Sequence, residues 1–546
     1  MQCRMLLRLA AAALGVAVLA GAGKVQAQEL KGSQAGETLY NGIQLPFPWP
    51  PRQTALKPEP PAAPSYLTSP PAVIQIDVGR QLFVDDFLIE NATLQRIFHL
   101  AEYYPRNPVI KPDKRWEREG NISSAMVFSD GVWFDPKDGT FKMWYMGGYL
   151  ASTCYATSKD GIRWKKPSLD VRSGTNIVHT SIRDSSTVWL DLEEKDPRRR
   201  YKLFVHAVPG DPAPTSIYFS SDGIHWGNAV AESGICGDRT TVFYNPFRKV
   251  WVSSIRESFP GVHRCRRYWE TKDLLKGSGW KLGEPTLWIS ADRLDPRRAD
   301  LNKQPELYSL DCAAYESLML GLFTIWRGQP SDRPKPNDIV VGFSRDGFHW
   351  SRPDRRAFIG ISESKRAWNY GNVQSAGGCC LVVGDKLYFY VSGRNSGACS
   401  TGLATLRRDG FASMDAGESE GMLTTRPVRF TGKYLFVNID APKGKLRVEV
   451  LDGKGQVIPP FTRENCVPIV ADKTLQAVNW KGADDLSSLS GKPVRFRFHL
   501  TNGKLYSFWV SPAKSGASYG YIAAGGPGFT GPTDTVGSAI YANEKE

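Results

Sequence analysis

No Cys-x-x-Cys pair, His-x-His, His-Glu-x-x-His or aspartate-rich calcium loop occurs in the chain, so the sequence predicts no metal and no cofactor. The longest apolar run, Leu9 to Gly23, is shorter than the roughly 20 residues a membrane helix needs. No Lys/Arg run has the composition of a nucleic-acid motif, and no serine-nucleophile elbow is read, which argues against nucleic acid as partner and against an esterase. Apolar residues at 41% and charged residues at 23% exclude a disordered chain, a coiled coil and a multi-span membrane protein.

What is present points to strands and turns. The 52 Gly, 37 Pro, 16 Trp and 21 Tyr favour an all-β protein, because Gly and Pro punctuate hairpins and aromatics suit strands. Arg4 and Arg8 ahead of the short apolar run, with Val25-Gln26-Ala27 behind it, read as a secretory signal peptide and place the protein outside the cell or in the periplasm. Its removal takes three basic and no acidic residues, lowering the net charge from +14 to +11. A basic secreted protein suits an anionic glycan, although the charge also serves solubility. The eight remaining cysteines permit disulfides without revealing a pairing.

An internal repeat carries the most information. Ser158-Lys159-Asp160-Gly161-Ile162-Arg163-Trp164 recurs as Ser220-Ser221-Asp222-Gly223-Ile224-His225-Trp226 and as Ser344-Arg345-Asp346-Gly347-Phe348-His349-Trp350, with degenerate copies at Asp273 and at Arg408-Asp409-Gly410. Each copy follows a hairpin pattern such as Val132-Trp133-Phe134 into Met143-Trp144-Tyr145. Five such units predict a five-bladed β-propeller followed by a β-sandwich domain. The predicted boundaries are 1–27 signal peptide, 28–72 Pro-rich leader, 73–423 propeller, 424–515 C-terminal β-sandwich and 516–546 Gly-rich tail.

In a propeller the innermost strands converge on a channel, so residues at equal offsets become neighbours. Four positions before the hairpin valine stand Asp184 and Asp238, a carboxylate pair suited to acid/base chemistry on a glycosidic bond. Both can instead cap turns or pair with Arg183 and Arg239. Further candidate acids are Glu119 or Asp130 in the first unit, the latter also readable as a turn residue, and Glu306 and Asp311 in the fourth. Arg183, Arg239 and Arg256 are candidates for holding an anionic sugar. Trp368, Tyr370, Asn372 and Gln374 are candidates for stacking on and hydrogen-bonding it. His179 and His206 remain open as a base or ligand, whereas His225 and His349 fall inside the repeat.

With its signal peptide, acidic residues at the starts of five units and following sandwich, the chain resembles the five-bladed propeller glycoside hydrolases, families 32 and 43 among them. The segments Gly79 to Glu90, Asp238-Arg239-Thr240-Thr241 and Leu505 to Trp509 are similar to those of secreted propeller proteins from polysaccharide-degrading bacteria. The resemblance implies a secreted glycosidase acting on a plant or algal polysaccharide. It also implies an Asp, an Asp and a Glu on the first three blades, whereas this chain has Asp184 second, Asp238 third and no clear first. A polysaccharide lyase acting on uronates and a non-catalytic glycan-binding propeller are the competing readings.

Overall fold

The computed structural model describes residues 36–207, 212–395 and 397–545. The signal-peptide reading of 1–27 lies outside them. Almost every regular element is a strand, as the composition predicts. Among the described residues no helix is long and apolar enough to cross a membrane.

Five strand groups follow one another along the chain. Group I comprises Ser123–Asp135, Thr140–Gly147, Ser152–Ser158 and Ile177–His179. Group II comprises Ser186–Leu190, Tyr201–His206, Thr215–Ser220 and Ala231–Glu232; group III, Thr241–Asn245, Val250–Phe259, His263–Thr271 and Thr286–Ser290. Group IV has Glu306–Glu316, Leu318–Trp326 and Asn337–Ser344; group V has Gly371–Ser375, Leu381–Val383, Lys386–Arg394 and Ala398–Arg407. Each expected hairpin forms, with Val132 opposite Met143, Val188 opposite Leu203, Val242 opposite Ser253, Ala313 opposite Leu320 and Leu381 opposite Tyr388. The first strands of groups I to IV abut in turn, that of group V lies against the second and third strands of group IV and the first of group I, and group V joins group I through a parallel pairing of Ala398 with Ser123. Group V takes an outer strand, Glu102–Tyr103, from far upstream, so the beginning of the series is hydrogen-bonded to its end.

The repeat is an anchor between groups. In each full copy the Ser hydroxyl accepts from the Gly N–H, and the Asp carboxylate accepts from the two amides beyond that Gly. The tightened loop docks on the preceding group: Tyr390 donates to the Gly161 carbonyl, Trp144 to that of Gly223 at 2.7 Å and Trp288 to that of Phe348 at 2.7 Å.

The chain beyond group V builds two further sheets. One carries Tyr434–Asp440 and Gly503–Ser511, the other Lys445–Leu451 and Arg495–Thr501, and each encloses part of a second apolar core. The boundary at residue 73 needs correction. Gln81–Leu82, Ile89–Ala92 and Gln95–Phe98, expected to open the propeller, hydrogen-bond instead into these C-terminal sheets, as do Ala412–Ala416 and Gly421–Thr425. Strands with unpaired edges take whichever partner is free, and here it lies more than 300 residues away in sequence. The leader is wrapped against the body: Leu39, Ile43, Leu45 and Tyr66 enter the second core. The Gly-rich tail is also built in, with Tyr521–Ile522 pairing to the end of Glu306–Glu316.

A buried ionic cluster ties these parts together. Arg80 lies 4.1 Å over the Trp509 ring and donates to Asp409 at 3.1 Å; Arg408 donates to Glu316 at 3.1 Å and to Asp534 of the tail at 2.9 Å. Tyr315 and Ser507 donate to the remaining Asp409 lone pairs. Dense pairing of this kind is what allows five charges to stay out of water.

Candidate functional site

The first strands of groups I to IV meet around a buried polar centre. Two positions before the hairpin residues Val132, Val188, Val242 and Ala313 stand Asp130, Ser186, Thr240 and Asp311, so equal offsets do become neighbours. Asp130 is not a turn residue. It is fully buried within Ser123–Asp135, accepting from Arg183 at 2.8 Å and from the Ser186 hydroxyl. Burial lifts its carboxyl to about 7 despite Arg183 and Arg239, with Asp311 adding to the rise. Asp311 accepts from Ser129 at 3.3 Å and from Ser375, and burial lifts it to about 6.

The strand holding Asp130 is distorted at that point. Its register slips between Met126 and Gly131, and Phe128 and Ser129 adopt φ of 27° and 65°. Bulges of this kind re-aim side chains. Here the bulge puts Ser129 against Asp311 and against Arg239, which donates to its hydroxyl at 2.9 Å. Arg266 completes the centre, donating to the Arg239 carbonyl at 2.7 Å and to that of Tyr308; burial beside Arg239 and Arg256 lowers it to about 9.

Asp184 and Asp238 lie on the approaches to this centre. Asp184 precedes Ser186–Leu190, its amide bonded to the His206 carbonyl at 2.9 Å. It is 9% exposed, and one carboxylate oxygen, Oδ1, is buried without a partner. Burial raises its pKa, Arg239 opposes the rise and the Asp238 charge adds to it. Asp238 is more open, its side chain 23% exposed with Arg256 Nε 3.5 Å away. Neither acid takes the pairing foreseen for it: Arg183 serves Asp130 and Arg239 stacks on Phe128 at 3.7 Å. A cavity of about 330 Å³ opens beside Arg256, lined also by Cys236, Glu257, Arg267 and Trp280.

The other candidates are dispersed. Glu119 is exposed on the turn after Trp116–Arg118, where Glu117 is the buried acid. Glu306 is buried in an ion pair with Arg264 at 2.5 Å. Arg183 is sealed beneath Asp130 and has no open face for a sugar. Trp368 covers Gly393 and Gly402 and meets Tyr103 edge-on, so its ring is a packing element. Tyr370 is buried under the Arg333 guanidinium at 4.0 Å. Asn372 and Gln374 hydrogen-bond each other, with Asn337 donating to Asn372 at 2.9 Å. The polar pattern around 368–374 thus faces the interior, with Gln374 Oε1 and Asn337 Oδ1 left buried without a partner.

His179 packs edge-on to Tyr218, and burial with Arg183 lowers it to about 4. His206 is buried with Nδ1 3.9 Å from Cys236 Sγ. The eight cysteines among the described residues are free thiols. Among the described residues no three His, Cys, Asp or Glu side chains are grouped to hold a metal. A Gly-x-Ser-x-Gly string is present after all, at Gly516 to Gly520, but Ser518 is buried and donates to Glu316 at 2.7 Å, away from any strand-to-helix elbow.

Sequence reasoning missed Asp130 as an interior acid, Ser129 and Arg266. An offset of two rather than four from the hairpin residue would have singled out Asp130 and Asp311 together.

No family model matches the chain, and no curated protein matches it. Solved structures to which it is similar are glycoside hydrolases. They include a fructofuranosidase from Schwanniomyces occidentalis complexed with fructose (12% identity, 75% of this chain and 97% of that one, TM-score 0.34). A family 43 arabinoxylan arabinofuranohydrolase from Bacillus subtilis in complex with cellotetraose is similar over 74% and 99% (10%, TM-score 0.34), and an α-L-arabinofuranosidase from Fusarium graminearum over 57% and 98% (12%, TM-score 0.32). At these scores substrate and mechanism are read from this chain's own side chains.

Proposed function

We propose that the five strand groups are the blades of a five-bladed β-propeller, that the C-terminal sheets form a β-sandwich against it, and that the protein is a secreted or periplasmic glycoside hydrolase. The observation that carries this reading is the contrast between Asp184 and Asp238. Asp184 is buried with an unpartnered oxygen and held toward its protonated form, while its neighbour Asp238 is open to solvent beside Arg256. Two interacting carboxylates in unlike environments divide naturally into an acid that protonates the leaving oxygen and a base or nucleophile. The cavity lined by Gly237 and Arg256, next to Asp238 but not lined by either acid, is large enough for a sugar residue.

The test is hydrolysis of a panel of plant and algal polysaccharides by the mature chain and by Asp184→Asn and Asp238→Asn. Each variant is expected to fold and to lose turnover by about 10²–10⁴-fold. Near-normal rates in both would end the assignment of this pair. Products with unsaturated uronyl ends would replace hydrolysis by elimination.

A further inference from the structure

Around the Phe128 bulge stand three cations that make no direct ion pair, although the charge of Arg239 is felt by Asp130, Asp184 and Asp311. Arg239 is 2% exposed, its guanidinium 3.7 Å from the Phe128 ring centre and 5.9 Å from that of Tyr308. Ser129 takes one of its N–H groups, but Nε and Nη1 are buried without a partner. Arg394 lies 5.7 Å from the same Phe128 ring and 4.7 Å from Tyr149, donates to the Tyr149 hydroxyl at 3.3 Å, and likewise leaves Nε unpartnered. Lys335 Nζ is 5.2 Å from the Tyr308 ring centre and 3.4 Å from its hydroxyl. Among the described residues, no carboxylate oxygen comes within 4 Å of any of the three, whereas neighbouring cations are paired: Arg183 with Asp130, Arg264 with Glu306 and Arg333 with Glu363.

Burying a guanidinium without an anion is costly, and aromatic faces offset only part of that cost. The chain nevertheless spends a strained backbone at Phe128 and Ser129 to hold a ring beneath two guanidinia. Lys335 and Arg394 are part-exposed, so the cluster opens to solvent on one side. Arg239 directly follows Asp238, and its charge acts on Asp184, which places the cluster next to the proposed acids.

We propose that Arg239, Arg394 and Lys335 form the recognition site for an oxyanion carried by the substrate sugar, a uronate carboxylate or a sulfate ester. The site rests on the glycan reading above and names its substrate class. The guanidinium forks present paired N–H donors to two oxygens of the group, Lys335 adds a point charge, and Phe128 and Tyr308 hold the cations in place. Each of these groups binds the substrate and none takes part in bond cleavage.

The test measures binding calorimetrically on the full mature chain carrying Asp184→Asn, which silences turnover. Polygalacturonate is compared with its carboxyl-reduced form, and dextran sulfate with dextran. At least one acidic polymer is expected to bind about tenfold or more tightly than its neutral counterpart, the preference weakening with salt; which pair shows it separates carboxylate from sulfate. Because Arg239 is buried, its replacement would disturb the fold, so the variants are Lys335→Gln and Arg394→Gln. Each is expected to cut the acidic preference several-fold while leaving the unfolding temperature and the weak neutral binding unchanged. Equal binding of acidic and neutral polymers, or a preference that survives both substitutions, would overturn the proposal. An oxyanion preference in a protein that cleaves nothing would leave this site standing and remove the hydrolase reading; cleavage with no such preference would do the reverse.

Discussion

Burial at Asp184 favours the neutral carboxyl, and the charge of Asp238 works in the same direction. If Asp184 is the acid, activity persists as pH rises until its raised pKa is passed and then falls, so kcat/KM should have an alkaline limb set by this group. In Asp238→Asn the residual activity should show that limb moved to lower pH, because one cause of the rise has gone; an unmoved limb would assign it elsewhere. Asp130 makes a separable prediction about stability. Its folded pKa is raised to about 7, so the folded state keeps a proton that the unfolded chain has released near pH 4. The stability it contributes is therefore full at low pH and is lost as pH rises through about 7. The melting temperature of Asp130→Asn minus that of the wild type should climb between about pH 4 and pH 7 and level off above, since Asn cannot titrate while every other group is common to both. A flat difference would show that Arg183 and Arg239, which face this carboxyl, balance both its burial and the Asp311 charge.

The repeated loop unites local and long-range requirements within one element. Gly223 has φ of 78°, and a Cβ there would stand 2.5 Å from Trp144 Cζ2, displacing the indole whose N–H bonds the Gly223 carbonyl. Gly174 has a similar φ of 76° with nothing within 4 Å. Gly174→Ala should cost about 1 kcal/mol, the strain of a left-handed conformation alone. Gly223→Ala adds a clash in a packed joint between groups and should cost roughly 3 kcal/mol or more. Chemical unfolding of both variants checks this, and equal losses would mean that the loop is not the anchor described. Legibility follows the same division. The Ser-x-Asp-Gly pattern is visible in sequence because its hydrogen bonds are local, but its partner on the preceding group could not be read, because Tyr390, Trp144 and Trp288 stand in no common spacing to it.

For the whole molecule, the ends of the chain hold the middle. Asp534, close to the C-terminus, is fully buried against Arg408, which also bonds Glu316, while Arg80 from the N-terminal side reaches Asp409. Asp534→Asn keeps the shape and removes one of the charges facing Arg408. The expected loss is about 2–4 kcal/mol in unfolding free energy, because a buried guanidinium would keep only part of its compensation. A loss within about 0.5 kcal/mol of zero would mean that solvent or another group takes over. A chain ending at Ser515 would lose both Asp534 and the strand Tyr521–Ile522, and should fail to fold stably rather than lose one local element.

The sequence by itself determined the all-β character, the places of the hairpins and the succession of repeat units, since alternation, turn chemistry and Asp-Gly loops depend on residues a few positions apart. It also pointed to acids at the starts of the first strands, including Asp184, Asp238 and Asp311. Only the tertiary structure decided which arginine serves which aspartate, that Asp130 is an interior acid, that Trp368 and its neighbours are packing, and that strands 81–98 belong with the C-terminal sheets. The physical reason is common to all four. Ion pairing, burial and the choice of a sheet edge are settled by groups brought together across hundreds of residues, and no local spacing encodes which of several equivalent partners arrives.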